Sequence, residues 1–154
     1  MSQPLAEPGV CNGTALRKAT RRVSQLYDAV LAPTGLRGTQ RSILIHIARA
    51  QMTEAGSPSM GALAAALVLD RSALAHNLKP LERDGLVAVE VDPADRRGRI
   101  VVLTELGRTR LDATTPLWAE AQRRFEASFG DAAALRAALA LIASPEFAAA
   151  FEAA

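Results

Sequence analysis

The sequence predicts a mainly α-helical chain that carries one small β-hairpin, with helices both before and after it. Apolar residues recur three and four positions apart along most of the chain, which is the spacing of amphipathic helices. Two runs rich in β-branched residues, 86–91 and 99–103, are separated by the polar segment DPADRRG, which is typical of a hairpin and its turn. The length of 154 residues corresponds to about one domain, so we expect residues 1–154 to form a single domain.

Composition excludes several classes of protein. Hydrophobic residues make up 49% of the chain and charged residues 22%, which are the values of a globular protein and not of a disordered one. The single cysteine, Cys11, cannot form an internal disulfide, which is typical of a reducing compartment. No apolar run reaches the roughly 18 residues that cross a bilayer, and residues 1–10 lack a signal-peptide pattern. We therefore expect a soluble, cytoplasmic protein that does not contact a membrane.

Two amphipathic helices are predicted at the start of the chain. The first covers residues 14–31 and ends before Pro33, because proline cannot continue a helix. Threonine is a common capping residue, so the second helix is predicted to begin at Thr39 and to reach about Arg49. Residues 51–58 are rich in turn formers and predict a linker.

A pair of shorter helices follows the linker. Ser59 is predicted to cap the third helix, which should extend through Val68, and Asp70 to cap the fourth, residues 71–84. Gly85 suits the end of the fourth helix. One face of that helix is apolar, with Leu74, Leu78 and Leu81. The opposite face is polar and cationic, with Ser72, His76, Lys79 and Arg83, and Arg71 lies on its flank.

A long helix is predicted after the hairpin, from a cap at Thr104 to about Phe129, with a last helix that Pro145 interrupts. The apolar stripes of the first, long and last helices have nothing to cover them inside a small three-helix domain. We therefore expect the helices of residues 12–34 and 104–154 to form a dimer interface. The residues predicted to line it are Leu16, Leu111, Trp118, Phe125, Leu135 and Leu139.

The middle of the chain, residues 38–103, has the element order of a winged helix-turn-helix, in which the hairpin of residues 86–103 is the wing. An α-helix fits the major groove of B-DNA, and arginines suit the narrow, negative minor groove. We therefore predict contact with double-stranded DNA through the fourth helix and the tip of the wing. The candidate residues are Arg71, Ser72, His76, Lys79, Arg83, Asp95, Arg96, Arg97 and Arg99.

The segments LDRSALAHNLKPLERDGLV and DPADRRGRIVVLTELG resemble the MarR family of bacterial transcription regulators. The resemblance covers about residues 12–130, and the family pattern D-x-R followed by L-T-x-x-G matches Asp95, Arg97, Leu103, Thr104 and Gly107. It implies a homodimer, usually a repressor, that binds a pseudo-palindromic operator and releases it when a small aromatic or phenolic effector binds. It also implies that Arg97 enters the minor groove and that Asp95 orients it.

Three residues are candidates for contact with such an effector. Arg17 suits an acidic group because arginine binds carboxylates well. Tyr27 and His46 could line a pocket or simply pack within the fold. Cys11 suggests an alternative, because the hydroperoxide-sensing branch of the family carries a reactive cysteine near the start of the first helix. In this sequence that position falls at Gly13, two residues away, which argues against oxidation sensing.

Enzyme chemistry has little support in the sequence. The histidines do not form a HExxH pattern, no glycine-rich phosphate loop is present, and His46, His76 and Cys11 do not have the spacing of metal ligands. We therefore predict a protein that is not an enzyme and that holds no metal or cofactor. The alternative from another class is a winged-helix module that binds a protein partner, in which an Arg97 variant would keep its biological activity.

Overall fold

Helices and one hairpin follow each other in the predicted order in the computed structural model, which describes residues 11–53 and 55–154. Residues 1–10, for which no signal peptide is predicted, and Glu54 of the linker lie outside the described residues. A 3₁₀ turn, Ala32–Thr34, separates the first two helices. The elements are α1 (Asn12–Leu31), α2 (Gly38–Gln51), α3 (Met60–Ala66), α4 (Arg71–Arg83), β1 (Val87–Val91), β2 (Arg99–Leu103), α5 (Glu105–Phe129), α6 (Ala132–Ile142) and α7 (Pro145–Glu152).

The start of α2 differs from the prediction. Thr39 was expected to cap this helix, but it lies inside the first turn, and Arg37 is the residue at the N-cap. The N–H of Gly38 donates instead to Oδ1 of Asp28, at 2.7 Å. Asp28 belongs to α1, so a side chain from a different helix satisfies a free N–H at the start of α2. Reasoning from neighbouring residues alone therefore misplaced the cap.

The caps of α3 and α4 are confirmed. The Ser59 side chain accepts from the N–H of Ala62 at 3.1 Å, and Oδ1 of Asp70 accepts from the N–H of Ala73 at 2.7 Å. The predicted end of α3 was wrong, because the helix stops at Ala66, two residues before Val68.

A left-handed residue makes the turn between α3 and α4. Val68 has a φ of 54°, and its N–H donates to the carbonyl of Ala65 while the N–H of Leu69 donates to that of Ala64. These two bonds form the Schellman arrangement that ends many helices, in which glycine usually occupies the left-handed position. The end of α4 has the same arrangement with Gly85, φ 70°, at that position.

The hydrophobic core lies between α2, α3, α4, the hairpin and the start of α5. Leu44, Ile47, Leu74, Leu81 and Val101 are fully buried in it. Leu111 of α5 belongs to the same core and is only 4% exposed.

Leu111 was predicted to line a dimer interface, and for this residue the prediction was wrong. The stripe on α5 is covered in part by the chain itself, because α5 packs along both α1 and α2. Trp118 and Phe125, predicted for the same interface, are half-buried, and their rings contact that of Tyr27 on α1.

The hairpin is antiparallel, with a register that runs from Val87 opposite Leu103 to Val91 opposite Arg99. The middle of β2 is joined to the segment before α3, because the N–H of Val101 donates to the carbonyl of Pro58 at 2.9 Å. The wing is therefore fixed to the same residues that begin the helix-turn-helix.

The start of α5 is packed directly against the end of α4. The hydroxyl of Thr104 donates to the carbonyl of Gly85 at 2.7 Å and accepts from the N–H of Gly107 at 2.9 Å. A Cβ at Gly107 would lie 2.0 Å from the carbonyl oxygen of Leu86. Thr104 and Gly107 of the L-T-x-x-G pattern thus have local structural roles: one joins α4 to α5, and the other permits the close approach.

The last two helices leave apolar side chains uncovered. Leu135 is half-buried, and five further apolar residues of α6 and α7 are at least 40% exposed: Leu139, Leu141, Ile142, Phe147 and Phe151. Among the described residues, no single helix has the length and hydropathy of a membrane span. Only α6 and α7 taken together meet those criteria, and they are bent by 56°.

Candidate nucleic-acid interface

One face of α4 is polar and exposed along its whole length. Ser72, His76 and Lys79, which we call the reading face, are exposed, while Leu74 and Leu78 on the opposite side are buried. The Asp70 cap fixes the first turn of the helix, and the buried leucines fix its rotation. The reading face therefore presents a hydroxyl, an imidazole and an ammonium group to solvent.

The two arginines of α4 are exposed, and each lies beside a neighbouring residue of the chain. Arg71 lies over the first turn of α3, since a Cβ at Gly61 would be 3.1 Å from Nη2 of Arg71. Arg83 donates from Nε to Oδ1 of Asp84 at 2.9 Å. This hydrogen bond raises the pKa of Arg83 and lowers the pKa of the Asp84 carboxyl. The charge of Arg83 is thus partly neutralised by its neighbour.

The tip of the wing is shaped by Asp95. Its Oδ1 accepts the backbone N–H of Arg97 at 3.0 Å, and its carbonyl accepts the N–H of Gly98 at 2.8 Å. The carboxylate therefore fixes the backbone that carries Arg97. The guanidinium of Arg99 donates to the carbonyl of Gly98 at 3.0 Å and so lies along its own hairpin. Arg96 and Arg97 are exposed at the tip.

A cleft of about 750 Å³, which we call the cationic cleft, separates the start of α2 from the second half of α4. Its walls include Arg37 and Thr39 on one side and His76, Lys79 and Arg83 on the other. Sequence reasoning missed Arg37, because the residue precedes the helix in which the cap was sought. The only feature of the sequence that could have indicated Arg37 is a positive charge next to the start of a helix.

Tyr27 is the best-buried of the three candidate effector residues, at 8% exposed. Its hydroxyl donates to Oε1 of Gln122, and its ring meets those of Trp118 and Phe125 edge-on, with centroids 4.8 Å and 6.5 Å away. Burial, reinforced by the nearby Glu126 carboxylate, raises the pKa of Tyr27.

A mainly apolar groove of about 370 Å³ lies between α1 and α5, and Tyr27 lines it. The other two candidates are elsewhere. Arg17 is exposed near the start of α1, and Nδ1 of His46 lies 2.7 Å from the carbonyl oxygen of Ser42 on its own helix. The structure does not bring Arg17, Tyr27 and His46 together around this groove.

A half-buried cation that sequence reasoning missed joins α2 to α5. Nε of Arg41 donates to Oγ1 of the fully buried Thr114 at 2.9 Å, and its guanidinium lies 4.2 Å from the centre of the Trp118 ring. Burial lowers the pKa of Arg41. Within residues 11–53 and 55–154, no carboxylate lies within ion-pair distance of it. The sequence pattern does not distinguish Arg41 from an arginine on a solvent-exposed helix face.

Cys11 is exposed at the N-cap of α1, where its Sγ accepts from the N–H of Thr14 at 3.5 Å. Hydrogen bonding to Thr14 lowers the pKa of the thiol, with a smaller contribution from Arg17.

Residues 34–98 match the model of the MarR family, a segment that contains α2 to α4 and most of the wing. Over 74 residues the chain is 40% identical to the transcriptional activatory protein BadR of Rhodopseudomonas palustris. That match spans 48% of this chain and 41% of BadR.

Solved structures match over nearly the whole chain. The M. tuberculosis transcriptional regulator MosR, in complex with DNA, is 35% identical with a TM-score of 0.79, over 90% of this chain and 98% of MosR. CouR from Rhodococcus jostii, bound to p-coumaroyl-CoA, is 27% identical with a TM-score of 0.70, over 94% of this chain and 97% of CouR. The likeness to MosR extends over 90% of the chain, well beyond the segment that matches the family model.

Proposed function

The chain belongs to the MarR family of DNA-binding transcription regulators, and from this premise we propose that it binds a pseudo-palindromic operator as a homodimer. We further propose that it acts as a repressor that a small aromatic or phenolic compound releases from DNA. Residues of the reading face would contact the major groove, and Arg97 would enter the adjacent minor groove.

The observation that carries the proposal is that two exposed surfaces, the reading face and the tip of the wing, are joined by a short stretch of backbone. The reading face is on α4, and the Schellman arrangement at Gly85 leads from α4 directly into β1 and so to the wing. The middle of β2 is also bonded to Pro58, just before the helix-turn-helix. The helix and the strands that lead to the wing-tip arginines are thereby joined by direct backbone hydrogen bonds.

A binding titration tests the DNA part of the proposal. Purified protein is titrated against duplex from upstream of its own coding sequence and against a scrambled duplex, at two salt concentrations, with stoichiometry measured as well as affinity. Sequence-preferring binding of one dimer per site is expected. Equal, steeply salt-dependent binding to both duplexes would overturn the proposal and favour a protein-binding module.

The homodimer is supported by the uncovered apolar side chains of α6 and α7. Leu139, Phe147 and Phe151 are 42%, 40% and 76% exposed in the single chain. Apolar area of this kind is normally covered by a partner, and a second copy is the partner that a two-fold symmetric operator requires. Leu135 and Leu139 remain our candidates for this interface, together with Leu16 at the start of α1.

Sedimentation of a charged variant tests the dimer. Leu139→Glu is expected to give a monomer that has lost its preference for the operator. Met52→Glu is the matched control, since Met52 at the end of α2 is 83% exposed and far along the chain from α6. A Leu139→Glu protein that stays dimeric would remove this residue from the interface.

A small-molecule effector is supported by the binding of p-coumaroyl-CoA to the related CouR and by the apolar groove between α1 and α5. Among the candidates Arg17, Tyr27 and His46, the position of Tyr27 in that groove makes it the strongest. Adding p-coumaroyl-CoA and a panel of aromatic acids to the protein–operator complex tests this part. Tyr27→Phe is expected to keep operator affinity and to change the response to the effector.

The direction of regulation is the remaining part of the proposal. BadR, which matches a part of this chain, is an activatory protein, and the usual role implied by the family resemblance is repression. A promoter–reporter fusion, measured with and without the gene, distinguishes the two. Higher reporter output without the gene is expected for a repressor.

A further inference from the structure

The charges in the walls of the cationic cleft are only partly neutralised. Arg83 is bonded to Asp84, whereas in the part of the chain that the structure describes neither Arg37 nor Lys79 has a carboxylate within ion-pair distance. The walls therefore hold three cations and one carboxylate. The first turn of α2 also borders the cleft, but the Asp28 carboxylate accepts from the N–H of Gly38 and offsets the partial positive charge of that helix end, so the field of the cleft comes from its side chains.

The cleft is continuous with the surface that would contact DNA. His76 and Lys79 belong both to the reading face and to its wall. Lys79 follows Ser72 by seven residues, which is about 10 Å along the axis of α4. A recognition helix contacts base edges mainly with its N-terminal residues. The Lys79 end of α4 and the opposite wall therefore lie where the sugar–phosphate backbone passes.

We propose that the cationic cleft holds a phosphate of the DNA backbone between Arg37 and Lys79. This inference rests on the proposed DNA-binding function and deepens it. It adds Arg37, the N-cap residue of α2, to the interface, and it assigns Lys79 to the backbone and not to a base edge. A guanidinium and an ammonium group are the side chains best suited to a phosphate anion, and such contacts fix position without reading sequence.

The salt dependence of binding tests this assignment. Wild-type protein, Arg37→Ala and Lys79→Ala are titrated against the promoter and scrambled duplexes. Each substitution is expected to weaken binding to both duplexes by a similar factor, about tenfold per dimer, and to lower the slope of log affinity against log salt by about one for each phosphate that is no longer neutralised. Arg37→Lys should keep most of the affinity, and circular dichroism checks that each variant is folded.

Arg49→Ala is the matched control, because it removes an exposed arginine from the opposite end of the same helix. It is expected to leave the slope unchanged. Duplexes with single neutral methylphosphonate linkages then locate the bound phosphate. One position in each half-site should weaken wild-type binding, and weaken Arg37→Ala by a smaller factor, because only Lys79 still contacts that phosphate in the variant.

Three results would overturn the inference: an unchanged slope in Arg37→Ala, a loss confined to the promoter duplex, or no methylphosphonate position coupled to Arg37. A phosphate contact carries no sequence information, so the scrambled duplex tests Arg37 even if the operator preference fails. Sequence-preferring wild-type binding with an unchanged Arg37→Ala slope would reject the cleft and keep the proposed function. If wild-type protein binds neither duplex, both are rejected.

Discussion

Gly107 lies directly against the carbonyl of Leu86, so that a Cβ at residue 107 would be 2.0 Å from the carbonyl oxygen and 2.8 Å from a methyl group of Leu103. The oxygen is on the backbone between α4 and β1 and cannot move aside as a flexible side chain would. Gly107→Ala is therefore expected to destabilise the fold by about 3 kcal/mol, the upper end of the usual cost of overpacking. Urea unfolding measures the change.

Gly13→Ala is the control for that experiment. It also adds a methyl group to a helical glycine, but among the described residues its Cβ would meet only the end of the Arg17 side chain, at 3.8 Å. Because alanine favours helices, this variant should be neutral or more stable by up to about 1 kcal/mol. Equal stability of the two variants would contradict the close approach at Leu86.

Val68 occupies the left-handed position that Gly85 occupies at the end of α4. A β-branched residue is strained there, and the side chain is 69% exposed, so little burial is lost when it is removed. Val68→Gly is expected to raise the free energy of unfolding by about 0.5–1 kcal/mol, the relief of strain less the entropy of the added glycine. The reciprocal Gly85→Ala should destabilise the fold, because alanine is strained at a φ of 70°. Its Cβ would make only an ordinary contact, 3.8 Å from Leu106, so the loss reports backbone strain and not a clash. A less stable Val68→Gly protein would show that the turn is not strained.

Arg97→Ala is expected to weaken operator binding about tenfold and to leave the oligomeric state unchanged. Asp95→Ala should weaken it as well, because Asp95 holds the backbone N–H of Arg97. Arg99→Ala should have a smaller effect, since that guanidinium is bonded to its own hairpin. Anisotropy titrations at physiological salt measure all three. An Arg97→Ala protein with wild-type affinity would contradict the role of the wing.

Tyr27 is the only tyrosine in the chain, so its ionisation can be followed by tyrosinate absorbance. Burial raises its pKa above the ordinary value of 10.0, and we expect the titration midpoint of the folded protein above that value. Because the folded pKa is the higher one, the stability that Tyr27 contributes is complete below about pH 10 and is lost as the pH rises through the folded pKa. Glu126→Gln should lower the midpoint. A midpoint at or below that of the unfolded chain would show that the ring is not buried.

Arg41→Gln is expected to destabilise the packing of α2 on α5 by about 1 kcal/mol, through loss of the stacking on Trp118 and of the charged hydrogen bond to Thr114. Trp118 is the only tryptophan, so its fluorescence reports the change directly. Arg108→Gln, a half-buried arginine earlier on α5, is the control. Unchanged Trp118 emission in Arg41→Gln would mean that the guanidinium does not rest on the ring.

Local chemistry explains which parts of the fold were predictable. Ser59, Asp70 and Thr104 cap the helices that they directly precede, so residue type and position were enough to find them. The cap at Gly38 comes from Asp28, ten residues earlier on another helix, and no local pattern indicates it.

Tertiary contacts limited the prediction of the interfaces. The seven-residue spacing on α5 correctly identified an apolar stripe, but periodicity does not say what covers it. Leu111 is covered by the winged part of the same chain, and Trp118 by Tyr27 and Arg41. Arg37 was missed for the same reason, since only the fold brings it opposite Lys79.

The bond from Val101 to Pro58 also affects how the hairpin meets other chains. A two-stranded sheet has two open edges, and an unpaired strand edge is a template for aggregation. Along part of β2 that edge is occupied by the segment before α3, where Ser59 pairs with Ile100. Proline has no N–H to offer an incoming strand. The bond between Val101 and Pro58 therefore also protects this part of the sheet from pairing with the strand edge of another molecule at high protein concentration.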